Sequence, residues 1–101
     1  MHTSMQVING RAVVVLQGCF DFNAHRAFRN SCNSPLASLA VRELELDLGG
    51  VEYLDSSALC MLLLLKEHAD EVRKPVVLSN CRGIVKEALI SANFDKIFNM
   101  A

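Results

Sequence analysis

Asp55, Ser56 and Ser57 are the residues of this chain best placed to do chemistry. They follow an alternating stretch that runs into Gly49-Gly50 and a short apolar stretch, and they precede a strongly apolar run at 58–65. This order puts two hydroxyls where a strand-side loop becomes the first turn of a helix. Such a junction has free backbone N–H groups and the positive end of the helix dipole. A phosphate added to a hydroxyl there meets donors and a favourable field. The chemistry the spacing suits is therefore a phosphorylation switch. Asp55 has two roles open to it, as cap of the helix and as a charge that orients a kinase or phosphatase at Ser56.

The helix beginning at Ser56 must position these groups. Projected at about 100° per residue, Ala58, Met61, Leu62, Leu65, Ala69 and Val72 share one face, expected against a sheet. The opposite face holds Ser56, Leu59, Cys60, Leu63, Glu67 and Asp70. Ser56 thus shares a side with three apolar residues that the sheet does not need. An apolar patch beside polar groups on an outer face marks a partner site. The competing reading is that another element of the same domain covers Leu59 and Leu63. Ser57 projects to a flank between the faces and suits capping; it is the second candidate for modification after Ser56.

The rest of the chain is poor in catalytic signals. Asp47 and Asp55 make no acid–base pair, since one belongs to a strand and the other opens a helix. His2, His25 and His68 are isolated. There is no Gly-rich phosphate loop, no metal-ligand spacing and no G-x-S-x-G elbow. The expectation is a protein that is not an enzyme and uses no metal or cofactor. His25, beside the Asp21 segment, reads as a solvated residue at a helix start or as a partner contact. Cys19, Cys32, Cys60 and Cys81 lie too far apart for a CxxC pair. With no basic-then-apolar leader at the N-terminus, they are expected to be reduced thiols in the cytoplasm. The net charge is -1, and the lysines are scattered, so no nucleic-acid or anionic-membrane footprint is visible. The run at 58–65 is too short to cross a bilayer.

The length of 101 residues suits one domain over 1–101, and 51% apolar content supports a core. Residues 5–8, Asn9-Gly10 and 11–17 read as a β-hairpin, because Asn-Gly fits the favoured two-residue turn. The near-continuous apolar run 12–16 predicts a strand covered on both faces. Residues 18–23 read as a loop. Residues 24–32 place Ala24, Ala27, Phe28 and Cys32 on one helical face; Pro35 ends or interrupts that helix, and 36–41 reads as a second piece of it. Leu44, Leu46 and Leu48 alternate with Glu45 and Asp47, a strand signal. The helix from Ser56 is expected to reach about Arg73, where Pro75 bars its continuation. Residues 76–78 read as a strand, and Ser79 or Asn80 as the cap of a helix burying Ile84, Val85, Ala88, Leu89 and Ala92. Asn93 suits a left-handed position, and Phe94, Ile97 and Phe98 a last turn and strand. The order ββαβαβαβ implies an α/β fold, a mixed sheet (hairpin plus parallel strands) with helices packed against it.

The stretch DLGGVEYLDSSALCMLLLLKEHA resembles the signature of the STAS domain, the family of sulfate transporters and anti-sigma factor antagonists. There an aspartate-serine-serine/threonine-glycine-leucine motif follows a strand and opens a helix; Asp55, Ser56, Ser57 and Leu59 match it. Gly18-Cys19-Phe20-Asp21 resembles the family's glycine-x-x-aspartate loop, 76–92 its late strand and helix, and Phe94–Phe98 its ending. In length the chain is similar to the stand-alone members. The resemblance implies an anti-sigma factor antagonist that binds a serine kinase of the histidine-kinase-like ATPase type, itself the anti-sigma factor. Phosphorylation of Ser56 would break that complex and a PP2C-type phosphatase would restore it. Asp21, Asp55, Ser56, Ser57, Leu59, Cys60 and Leu63 would form the partner surface. Ala58 and Cys60 stand where the family has glycines, and Cys60 enlarges the outer patch. The alternative within the family is a subunit bracing the ATPase of a lipid-trafficking ABC transporter.

Overall fold

Asn9 and Gly10 take positive φ values of 50° and 83°, the geometry that lets a two-residue turn follow strand twist. In the computed structural model, which describes residues 1–100, this turn joins β1 (His2–Ile8) to β2 (Arg11–Phe20) in antiparallel register from His2↔Gln17 to Ile8↔Arg11. Three more strands, β3 (Glu43–Leu54), β4 (Val76–Ser79) and β5 (Asn99–Met100), add in parallel to give the order β1-β2-β3-β4-β5. The crossovers are α1 (His25–Ala37), α2 (Ser56–Glu71) and α3 (Gly83–Ser91). When strand order follows chain order and every crossover has the same hand, the helices gather on one face of the sheet.

Burial follows that rule. Ala12, Val14 and Leu16 of β2, Leu44, Leu46 and Leu48 of β3, and Val76 and Leu78 of β4 are buried, whereas Val13, Val15, Glu45, Asp47 and Val77 are half-buried. The expectation that 12–16 is covered on both faces is therefore corrected. Its valines satisfy β-branched preference on a pleated surface rather than a second core. The open face is polar where it crosses strands. Arg11 Nε donates to Glu43 Oε1 at 2.8 Å, its Nη1 to Glu45 Oε1 at 3.1 Å, and Ser79 Oγ to Glu45 Oε2 at 2.8 Å.

β3 holds the irregularity that matters. The register steps from Val15↔Asp47 to Gln17↔Gly50, and from Gly18↔Val51 to Cys19↔Tyr53. Each step leaves one extra residue in β3, a bulge that reverses which side chains face the core. The inward residues are thus Leu48, Val51 and Leu54, rather than Leu48, Gly50 and Glu52. A Cβ on Gly50 would lie 2.8 Å from Gln17 Cγ, so glycine lets the bulged strand stay against β2. Kept in register this way, β2 extends to Phe20, past the loop expected from residue 18.

Other boundaries also move. α1 passes through Pro35 to Ala37, because a proline in the last turn forfeits one intrahelical bond and this one is buried. The second piece expected over 36–41 stops with it. The N-cap residue of α3 is Arg82, without a side-chain cap bond. The expected caps are engaged elsewhere: Ser79 is buried on Glu45, and Asn80 adopts φ 57°. Val85 and Leu89 are buried, Ala88 and Ala92 half-buried and Ile84 exposed, so the inner stripe of α3 is narrower than expected: Ile84 sits about 100° around the helix from Val85. Asn93 takes φ 62° as expected. The turn after it is Phe94–Lys96, and the final strand follows Phe98 rather than containing it.

The carbonyls left without intrahelical donors at the end of α1 are met by one cation. Lys74 Nζ donates to the carbonyls of Pro35, Leu36 and Ser38 at 3.1, 2.6 and 2.7 Å, which satisfies the helix terminus and its dipole together. Lys74→Met is expected to lower stability by about 1–3 kcal/mol in urea denaturation. Lys66→Met, which removes the exposed pair to Asp70, is expected to cost under about 0.5 kcal/mol.

Candidate functional site

Two strand ends build the site. Phe20 and Leu54 close the β2–β3 ladder side by side, and the Asp55 N–H donates to the Phe20 carbonyl at 3.2 Å. The residue after each strand end is an aspartate that caps the next helical turn. Asp21 Oδ1 accepts from the Asn23 N–H at 3.0 Å and starts a short 3-10 turn, Phe22–Ala24. Asp55 Oδ1 accepts from the Ala58 N–H at 2.9 Å and starts α2. Extended backbone at both, with φ −130° and −109°, is the conformation that frees a side chain to cap. The two caps stand abreast at the carboxyl ends of parallel strands, where open α/β sheets hold their ligands.

Ser56 is the first residue of α2 and is exposed. Ser57 is half-buried, and the capping expected of it is done by Asp55. With Ala58 N–H taken by Asp55, the donors of Ser56 and Ser57 remain free of intrahelical partners by position. Tyr53 completes the rim: its hydroxyl donates to Asp21 Oδ2 across 3.5 Å. The Cys19 sulfur and the Asp21 carboxylate raise the Tyr53 pKa above its ordinary value, because a phenolate there would face like charges. Cys19 Sγ in turn points at Glu52 Oε2, 3.6 Å away.

The inner face of α2 is as expected at Ala58, Met61, Leu62, Leu65 and Ala69, all buried. Val72, expected with them, lies one residue past the helix as its C-cap and is 39% exposed. On the outer face Cys60 is exposed, and Leu63 is 42% exposed, so no other described element covers that end of the patch. Leu59 is half-buried and packs against the core, so it is the shared edge of core and patch. Two apolar residues that the helical projection passed over belong here. Leu64 is 62% exposed, and Phe22, in the turn capped by Asp21, is 73% exposed. Leu64 was detectable, because a helix with one covered side cannot bury five consecutive apolar residues at 61–65. Nothing in the local pattern marks Phe22.

Other chemistry is thin. Among the described residues no group of three or more His, Cys, Asp or Glu side chains could hold a metal ion, and no helix is long and apolar enough to cross a membrane. Cys19, Cys32, Cys60 and Cys81 are all free thiols. Burial pushes the Cys32 thiol up to about 12, which leaves it unreactive. His25 is exposed in the first turn of α1.

The family model described as "Mlab, STAS domain" matches residues 5–100. A STAS-domain containing protein of Pseudomonas aeruginosa (strain UCBPP-PA14) is 36% identical over 100 residues, 98% of this chain and 97% of that protein. An anti-sigma factor antagonist from Mycobacterium paratuberculosis has a similar structure, with TM-score 0.82 and 26% identity over 98% of this chain and 83% of that one. The Bacillus cell fate determinant SpoIIAA in its phosphorylated form shares the fold, with TM-score 0.74 and 17% identity over 99% of this chain and 91% of that one.

Two measurements check the site's construction. Asp55→Ala is expected to cost about 1 kcal/mol in urea denaturation and Asp55→Asn much less, because asparagine also accepts from an N–H. In iodoacetamide labelling of the native chain under mildly alkaline conditions, Cys60 is expected to react first and Cys32 only on unfolding; early modification of Cys32 would contradict the burial described.

Proposed function

This chain belongs to the STAS-domain family, and from that premise we propose that it is a phosphorylation-switched protein-binding module, an anti-sigma factor antagonist. In this reading it binds a serine kinase of the histidine-kinase-like ATPase type, the anti-sigma factor, while Ser56 is unmodified. Phosphorylation of Ser56 releases the kinase, and a PP2C-type phosphatase resets the switch. The observation that carries the reading is the exposed Ser56 at the first position of α2, on the same outer side as Cys60 and Leu63. The solved relatives support it in kind: SpoIIAA, an anti-sigma factor antagonist, has been described in unphosphorylated and phosphorylated forms.

The energetics separate fold from interface. A phosphate on Ser56 brings about −1.5 to −2 charges and three acceptor oxygens. Within the fold it points outward, beside the free donors that begin α2, and touches none of the inner residues that anchor the helix. Against a partner packed on Cys60, Leu63 and the edge of Leu59, the same charge is stranded without a counter-ion. An unpaired charge at a desolvated interface costs about 2–5 kcal/mol, which is about 30- to several thousand-fold in affinity. Asp21 and Asp55 flank the site with carboxylates, which adds to the repulsion felt by any acidic partner. Ser57, half-buried, is the lesser acceptor.

The match to the model described as Mlab supports a second reading, a subunit that braces the ATPase of a lipid-trafficking ABC transporter through the same outer face of α2, with no phosphate cycle. Affinity capture from the source cell's lysate separates the two. The Ser56→Ala bait is expected to retain a histidine-kinase-like serine kinase and the Ser56→Asp bait to lose it, with at least about a 30-fold difference in Kd for the captured kinase. Equal affinity of the two baits for that kinase, or capture of an ABC ATPase by both, would overturn the switch.

A further inference from the structure

β1 is an edge strand: the sheet order begins with it, and among the described residues no strand lies beyond it. Its pairing with β2 runs without a bulge from His2↔Gln17 to Ile8↔Arg11. Ile8 and Arg11 flank a two-residue turn, so they form a hydrogen-bonded pair. By alternation, His2, Ser4 and Gln6 also spend their backbone groups on β2. The N–H and C=O groups of Thr3, Met5 and Val7 therefore point away from the sheet, and among the described residues none of them has a partner. Natural edges are blunted by lysine, proline, an inward charge, a bulge or shortness. The opposite edge, β5, is two residues long. β1 has seven residues, HTSMQVI, with no Pro, Lys, Arg, Asp or Glu among them.

The side chains along this edge are left open as well. Thr3, Met5 and Val7 pair with the buried Leu16, Val14 and Ala12, so they face the helical layer. Yet Met5 is 43% and Val7 46% exposed. The cause is α1, which packs over β1 and β2 and turns small side chains to this flank. Thr3 Oγ1 lies 2.6 Å from Ser31 Oγ, which identifies the side of α1 above β1. Ala27 and Ser34 share that side, four residues before Ser31 and three after it. None of the three carries a charge, and none is long enough to cover the two apolar side chains below.

We propose that β1 is a homodimer interface, at which two copies of this chain join edge to edge into one continuous sheet. Antiparallel pairing about a two-fold axis at Met5 sets Met5 opposite its own copy and Thr3 opposite Val7. Every outward N–H then faces a C=O, in about six hydrogen bonds. With strands ~4.8 Å apart, the two copies of α1 come to about 10 Å, the spacing of packed helices. Ala27, Ser31 and Ser34 are small enough to allow that approach, and Met5 and Val7 of both copies fill the space beneath. No like charges meet, because neither β1 nor this side of α1 carries any; a charged foreign strand finds no complement there. The pairing consumes both long edges, so assembly closes at two. The seam is about 24 Å long at ~3.4 Å per residue, small beside stable dimer interfaces, so the expected Kd is weak, on the order of 100 µM. It shares no residue with Asp21, Asp55, Ser56 or Leu63, so this assignment stands or falls apart from the phosphorylation reading.

The test is sedimentation equilibrium of the full, reduced chain from ~10 µM to ~1 mM, with amide hydrogen exchange measured at both ends of that range. A reversible rise from the mass of one chain towards that of two is expected. Exchange at Thr3, Met5 and Val7 is expected to slow at least about fivefold at the higher concentration, while Ser4, Gln6 and Ile8 exchange slowly at both. Met5→Lys sets like charges opposite each other at the axis; it is expected to weaken the dimer at least about tenfold and to keep the far-UV spectrum and thermal midpoint. Val7→Pro removes one outward N–H, which an edge strand tolerates, and is expected to cause the same loss without adding charge. A chain still monomeric at ~1 mM, or a dimer that survives Met5→Lys, would overturn the proposal. So would a dimer that Leu63→Lys abolishes and Met5→Lys does not, or protection of Thr3, Met5 and Val7 that arises only when a foreign β-strand peptide is added.

Discussion

The parallel pairing of β2 with β3 to their last residues is the constraint on which the candidate site depends. The ladder runs to Phe20↔Leu54 and is closed by the bond from the Asp55 N–H to the Phe20 carbonyl. Only because both strands end level do Asp21 and Asp55 stand abreast, each capping its own turn. The two bulges in β3 make this possible. A single bulge would turn Leu54 to the open face, since a one-residue shift exchanges the faces of a strand. With two, Leu54 returns to the core side and α2 begins over the helical layer, where Ala58 and Leu62 can be buried.

That arrangement divides α2 between two tasks. Its inner residues, Ala58, Met61, Leu62, Leu65 and Ala69, hold the helix against the sheet. Its first residue and the outward Cys60, Leu63 and Leu64 are left to solvent. In the proposed switch, a change of charge at Ser56 would act on a partner docked outside, with little leverage on the core. The same division explains why α1 and α2 leave a furrow between them: each helix spends its apolar stripe on the sheet, and Phe28, Cys32, Met61 and Leu65 close its floor as part of the core.

Much of this layout was legible from residues in local patterns. Asn9-Gly10 marks its turn because few other pairs accept two positive φ values. Leu44, Leu46 and Leu48 mark their strand by strict alternation, and Asp55 marks the start of α2 because an aspartate before an apolar helix is a strong cap. What escaped is set by distant partners. Once the alternation ends at Leu48, the inward positions Val51 and Leu54 depend on bulges that only the pairing with β2 defines. Pro35 stays helical because it lies in a buried last turn, and Lys74, remote in sequence, meets the carbonyls left open where that helix ends. Ser79 looks like a cap but is drawn to Glu45 on a neighbouring strand. The outer patch was seen in outline from Ser56, Cys60 and Leu63, while Leu64 fell between the two projected faces and Phe22 lies on a turn that the loop reading of 18–23 concealed.

The most direct test of the account is to install phosphoserine at position 56 by genetic code expansion and compare ¹H–¹⁵N spectra and thermal midpoints with the unmodified chain. If the charge is absorbed by the fold and felt only at the interface, shifts will be confined to the segment around Asp21 and to the first turns of α2, and the midpoint will move by no more than about 4 °C, the equivalent of under about 1 kcal/mol. Shifts spreading through Leu62, Leu46 and the sheet, or loss of cooperative unfolding, would show that the modification acts by disrupting the domain and would contradict the account.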